Sequence, residues 1–149
     1  MSDRPSSPTQ PVVILGFDPG RDKCGVAIRD GDGNVAWHEV IRSEEAMTRL
    51  PQICQDHGVS LVVMGNQTTA RQWHERLATV LPEMLPIVLV DERNSTLEAR
   101  DRYWQLYPAK GLQALVPQSL RAISRPIDDI VAILLIERYL RTVESSGGG

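Results

Sequence analysis

The run Val12-Val13-Ile14-Leu15-Gly16-Phe17-Asp18 constrains the fold of this chain most. It is almost continuously apolar and stops at Pro19-Gly20, which fits a strand buried on both faces with a turn at its end. Such a strand belongs at the centre of a sheet, with further elements covering each side. A length of 149 residues and an apolar fraction of 42% suit one domain with one core.

Downstream, Cys24-Gly25-Val26-Ala27-Ile28 and residues 34–40 read as two strands joined by Asp30-Gly31-Asp32-Gly33, whose Asp-Gly pairs favour a tight hairpin. From Ser43 the period changes: Ala46, Leu50, Ile53 and Cys54 recur at helical spacing until Gly58, a C-terminal stop. Leu61-Val62-Val63-Met64-Gly65 predicts a buried strand, residues 70–81 a helix, and Ile87-Val88-Leu89-Val90 a last strand leading into Asp91-Glu92. Ser95-Thr96-Leu97-Glu98 has the pattern of a capping box opening a third helix. Pro108, Gly111 and Pro117 make 108–124 irregular, with a short helix at Leu112–Leu115. The final helix, 127–141, carries Ile130 to Ile136 without a polar residue and is therefore buried on more than one side. The expected fold is an α/β domain: a mixed five-stranded sheet, three antiparallel strands and then two parallel ones, flanked by helices, with the first strand between the two halves. The ends, 1–11 and 143–149, are Ser/Pro-rich or Gly/Ser-rich and read as flexible tails around a domain at 12–142.

A net charge of −3 and a pI near 5.6 argue against a protein that coats nucleic acid non-specifically, a mode that needs many Lys/Arg contacts to phosphate. Cys24 and Cys54 show no Cys-x-x-Cys spacing and no Cys/His cluster, so neither a disulfide framework nor a zinc site is indicated. No apolar run approaches membrane-spanning length, and the expectation is a soluble, cytoplasmic protein with no membrane partner.

Four acids stand where strands end or a helix begins: Asp18, Glu92, Asp128 and Asp129. In open α/β sheets, ligands bind beyond the carboxyl ends of the strands near the order reversal, which is where Asp18 and Glu92 fall. Taken singly, each has an ordinary explanation. Asp18-Pro19-Gly20 is also a good turn, Glu92 beside Arg93 a solvated pair, and Asp128-Asp129 an acidic first turn favoured by the helix dipole. Taken together they describe a pocket for a hard divalent cation such as Mg²⁺, which takes oxygen ligands and often also holds a phosphate. Strand alternation sends Asp91 and Glu92 to opposite faces, and Glu92 is the one chosen for the pocket. Asp128 is chosen over Asp129 as the principal ligand of the helix, Asp129 being left to cap it or assist at a second ion. Gly20 leaves room for a phosphate near the backbone.

Other signals are weaker. Asp30 to Asn34 resembles the start of a calcium loop, but Val35 stands where Gly is required. His38, His57 and His74 lack ligand spacing, and Trp73 and Trp104 fall within helices where core packing is the common role.

With these residues assembled, the chain resembles the YqgF/RuvX family of RNase H-like Holliday junction resolvases and pre-16S rRNA nucleases over about residues 13–140. Gly16-Phe17-Asp18-Pro19-Gly20 through Gly25-Val26-Ala27 is similar to the family's first strand and turn, and Val62-Val63-Met64-Gly65 to its fourth strand. Asp91-Glu92-Arg93-Asn94-Ser95-Thr96-Leu97-Glu98-Ala99 is the most specific match, and 127–140 resembles the closing helix. Two departures stand out. Gly65-Asn66-Gln67-Thr68-Thr69 replaces the usual Gly-Leu-Pro and longer polar loop, and Arg125-Pro126 stands near the position where a Lys commonly precedes the helix acid. The resemblance implies a metal-dependent endonuclease using Mg²⁺ or Mn²⁺ at Asp18, Glu92 and Asp128, with Asp129 assisting. Arg21, Lys23 and Arg93 are then the candidates to meet substrate phosphates. Its partner would be structured RNA or branched DNA, in rRNA processing and ribosome biogenesis or in DNA recombination, and the protein a monomer or homodimer. The competing expectations are a catalytically silent RNA-binding or ribosome-assembly module on the same fold, and, last, an actin-like ATPase, which normally needs two such domains.

Overall fold

The computed structural model describes residues 12–147, with side chains through residue 144. Five strands, β1 (Ile14–Asp18), β2 (Lys23–Arg29), β3 (Val35–Arg42), β4 (Leu61–Gly65) and β5 (Ile87–Val90), form one sheet in the order β3-β2-β1-β4-β5. β1 pairs antiparallel with β2 and parallel with β4, so the strand whose sequence is most continuously apolar occupies the centre, as expected. Four helices, α1 (Ala46–His57), α2 (Ala70–Val80), α3 (Ser95–Leu106) and α4 (Asp128–Gly147), cover the sheet.

Alternation along β1 sorts the two faces. Leu15 and Phe17 belong to one apolar layer with Leu50 and Ile53 of α1 and Trp73 and Leu77 of α2. Ile14 joins the other layer, with Val63 of β4, Ala99 of α3 and the whole of Ile130 to Ile136 of α4. Trp73 meets the Phe17 ring edge-on at 5.5 Å between centroids, which is core packing. Burying each large aliphatic side chain of α4 is worth roughly 1.5–3 kcal/mol, and this explains why that helix spends its apolar run on the sheet. It can lie close only because two strand residues lack side chains. A Cβ on Gly16 would stand 2.3 Å from the Ala132 carbonyl oxygen, and one on Gly25 would stand 1.8 Å from that of Asp128.

Several local expectations are refined. The β2–β3 hairpin closes on Asp30, whose Oδ1 accepts the backbone N–H of Asp32 and Asn34 at 3.0 and 2.9 Å, with Gly33 at φ +92°. It is a turn held by its own aspartate. The capping box at Ser95 does not form. Asn94 takes the N-cap position at φ 62° without a side-chain cap, Ser95 is buried, and the Glu98 carboxylate accepts from Arg138 of α4 instead of turning back on the helix start. A charged partner on a packed neighbour outcompetes a local backbone donor here. The 108–124 segment holds two short 3₁₀ helices, Gly111–Leu115 and Gln118–Leu120. α4 continues to Gly147, beyond the expected end at Arg141, because extending a helix already nucleated on the sheet adds a hydrogen bond for each residue fixed. Residues 143–147 of the expected C-terminal tail are thus helical, whereas 1–11 and 148–149 lie outside the described residues. Cys24 and Cys54 are separate buried thiols. No helix among the described residues is long and apolar enough to cross a membrane.

Candidate active site

Asp18 is the last residue of β1, Asp128 the first of α4, and Glu92 lies two residues beyond β5. All three line one cavity of about 440 Å³ at the carboxyl ends of the strands, together with Gly20, Gln67 and Ser95. Strand parity explains the convergence. Asp18 follows Ile14 and Gly16 on the α4 face, while Val88 and Val90 of β5 pack into the same layer, so Glu92 continues their side of the strand. Asp91 takes the opposite parity and lines a neighbouring cleft. The register places Gly65 beside Val90, and a Cβ there would stand 2.6 Å from Glu92 Oε2. Gly65 therefore supplies the space in which the Glu92 carboxylate rests.

The site concentrates negative charge away from water. Asp18 is pushed up to about 8, first by burial and then by repulsion from Glu92 and Asp128. Glu92 is raised by burial, with Arg138 pulling it down and Asp91 pushing it further up. Asp128 is raised by burial and by Asp129, against a backbone hydrogen bond and the charges of Lys23 and Arg125. Clustered carboxylates with pKa values displaced in the same direction mark a place that gains from a cation.

The donor set suits a hard divalent ion: three carboxylates from β1, α4 and the loop after β5, facing a cavity with room for retained water. Among the described residues, no three His, Cys, Asp or Glu side chains are already gathered into a closed cage. Ligation by all three acids would therefore require side-chain adjustment, or water between some of them and the ion.

Asp129 faces elsewhere. It is 1% exposed, and its Oδ2 accepts from His38 Nδ1 at 2.6 Å and from Arg125 Nη2 at 2.7 Å. The expectation that Asp129 assists at the cavity gives way to a structural role, since adjacent helical residues diverge by about 100° and Asp128 takes the cavity side. Asp129→Asn should cost about 1–3 kcal/mol in urea unfolding while leaving Mn²⁺ affinity unchanged. A loss of Mn²⁺ affinity equal to that of an Asp128 variant would place Asp129 back among the ligands. Gly20 lines the cavity, Arg21 on the β1–β2 turn and Lys23 at the start of β2 are exposed beside it, and Arg93 lies in the adjacent cleft with Asp91. Gln67, whose Nε2 donates to the Pro19 carbonyl, and Ser95 join the lining; the loop after Gly65 was the only pointer to Gln67, and Ser95 was read as a helix cap and not as a site residue.

A larger cavity of about 800 Å³ opens at the amino end of β4 between α1 and α2. Its one titratable lining residue, Cys54, has a thiol pushed up to about 11 by burial, so it offers no acid or base near neutral pH.

A family model described as RuvX, Holliday junction resolvase, matches residues 12–142. The chain belongs to the RuvX family. Its relatives include a protein of Xylella fastidiosa named "Putative pre-16S rRNA nuclease", 30% identical over 148 residues that cover 91% of each chain. A protein of Chloroflexus aurantiacus with the same name is 29% identical over 143 residues, covering 86% of each. In fold, the chain is similar to Thermus thermophilus RuvC, with a TM-score of 0.51 at 12% identity over 88% of this chain and 96% of that one. The RNase H-like sheet anticipated from the resemblance is the sheet observed, and the RuvX family is a nuclease family.

Proposed function

We propose that this RuvX member is a metal-dependent endonuclease that hydrolyses phosphodiester bonds in structured nucleic acid, either rRNA precursor or branched DNA. The observation that carries the proposal is the convergence of Asp18, Glu92 and Asp128 on one cavity, with Asp18 held protonated to about pH 8 by burial and by the other two acids. Bound Mg²⁺ or Mn²⁺ would supply Lewis-acid activation of the phosphate and of a water molecule. Asp18 and Asp128 would hold it from the end of β1 and the start of α4, and Glu92 from the loop just beyond β5. Arg21 and Lys23 on one rim, and Arg93 on the other, would neutralise the phosphates flanking the reacting one. Both relatives carry pre-16S rRNA in their names and the family description carries the Holliday junction, so both substrates enter the test. Incubation with Mn²⁺ and a panel of four-way DNA junctions, single-stranded RNA and rRNA precursor fragments should give metal-dependent cleavage of one class. A protein cutting two symmetric strands of a junction would work as a homodimer, read by light scattering in the same preparation.

A second reading, a nucleic-acid-binding module without catalysis, draws on the acids not being gathered into a cage. Tight binding of the panel with no cleavage under Mn²⁺, unchanged by Asp18→Asn, would establish it in place of the first.

A further inference from the structure

A polyanion that approaches a cavity lined by three carboxylates is favoured by positive charge placed beside it. One rim is already described, Arg21 on the β1–β2 turn and Lys23 at the start of β2. The other rim leads into a separate polar cleft of about 450 Å³ between the head of α3 and the outer half of α4. Consecutive residues between β5 and α3 serve different cavities, Glu92 the acidic one and Arg93 the cleft, before Asn94, at φ 62°, turns the chain into α3. A left-handed Asn is uncommon and tolerable at such a turn.

Within the cleft the three arginines differ. Arg138 is committed: its Nη1 donates to the Asp91 carbonyl at 2.9 Å, its Nη2 donates to the Glu98 carboxylate, and its side chain is only 14% exposed. It forms the floor and ties α4 to the loop that carries Glu92. Arg93 and Arg141 are exposed and make no ion pair among the described residues. Two unpaired guanidinium groups, brought to one cleft from a loop and from a helix, present planar donor forks of the kind that recognise phosphate.

We propose that this cleft is a second phosphate subsite, in which Arg93 and Arg141 grip the backbone of the nucleic-acid strand on the α3/α4 side of the acidic cavity. This assignment rests on the nuclease reading and deepens it. The substrate strand would run from the Arg21/Lys23 rim, across Asp18, Glu92 and Asp128, and into the cleft, with Arg141 the anchor that no sequence motif indicated. Sequence readout is not asked of this site, because its contacts are to phosphate.

The test separates binding from cleavage. A fluorescent four-way DNA junction and a labelled single-stranded RNA are titrated in EDTA with the full chain, with Arg93→Gln, with Arg141→Gln, and with Arg71→Gln as a control on α2 on the opposite face of the sheet. The Arg93 and Arg141 variants should each bind whichever probe the wild type binds roughly fivefold more weakly at moderate salt. The slope of log affinity against log salt should become shallower by about 0.7–0.9 for each arginine removed, while Arg71→Gln matches the wild type. Unaltered affinity and slope in Arg141→Gln, alongside wild-type cleavage in Mn²⁺, would overturn the subsite and leave the nuclease reading standing. A wild-type protein that neither binds nor cleaves any probe would overturn both. Inorganic phosphate is titrated separately by calorimetry; saturable phosphate binding that Arg141→Gln abolishes, with oligonucleotide binding untouched, would make the cleft a free-anion site and also refute the proposal.

Discussion

Asp18→Asn should abolish cleavage, by on the order of a thousandfold or more, and at the same time raise the stability of the metal-free protein. The first effect follows from the proposed role of Asp18 as an oxygen ligand at the carboxyl end of the central strand. The second follows from linkage. The folded Asp18 holds its proton to about pH 8, whereas an unfolded aspartate ionises near pH 3.9. Between those values the folded chain binds more protons than the unfolded one, so metal-free wild-type stability falls as pH rises through that window. Asn escapes this penalty. Its advantage should be absent below about pH 4, grow with pH, and level off above about pH 8, where it reaches about 1–3 kcal/mol once relaxation of a solvent-open site is allowed for. In a thermal scan this is a gain of about 3–10 °C in EDTA. Mn²⁺ should raise the melting temperature of the wild type and do little for the variant, since a ligand stabilises only the state that binds it. A variant that melts lower than wild type in EDTA at pH 8 and still cleaves would show that Asp18 is neither crowded nor catalytic.

Gly25→Ala is expected to be the most damaging single-methyl change in the site region. The added Cβ would fall 1.8 Å from the Asp128 carbonyl oxygen, 2.1 Å from its carbonyl carbon and 2.6 Å from the Asp129 backbone nitrogen. Backbone cannot rotate out of the way as a side chain can, so the head of α4 must lift from β2. The cost should be about 2–4 kcal/mol, seen as a melting temperature lower by about 5–15 °C. Asp128 opens that helix, so the same movement displaces it from the cavity. Mn²⁺ affinity should fall even at temperatures where the variant remains folded, as followed by circular dichroism alongside a metal titration. Unchanged stability would mean that α4 does not rest on β2 at Gly25.

Much of the scaffold could be read residue by residue. The uninterrupted apolar run at 12–17 demanded a central strand, the Asp-Gly pairs demanded a hairpin, and the all-apolar face of 130–136 demanded a helix buried in the sheet layer; each is found in that place. The choice of Glu92 over Asp91 required more, because alternation says only that the two diverge. The pairing of Phe17 with Met64 and of Gly65 with Val90 sets the phase of β5 against β1 and places Glu92 on Asp18's side. Asp129 illustrates the opposite case. From sequence it was as acidic as Asp128 and was expected to assist beside it, yet His38, 91 residues away on β3, and Arg125 claim it.

Periodicity and turn chemistry are local properties, so the amino-acid order alone determined the strands, the helices, the central position of β1 and the set of acids from which a site could be built. Which acids meet, which arginines lack an ion pair among the described residues, and which glycines make room for the acids depend on contacts between residues far apart in the chain. Only the tertiary structure decided those, because register, helix rotation and the distance between α4 and the sheet are set by packing, which no short window of residues encodes.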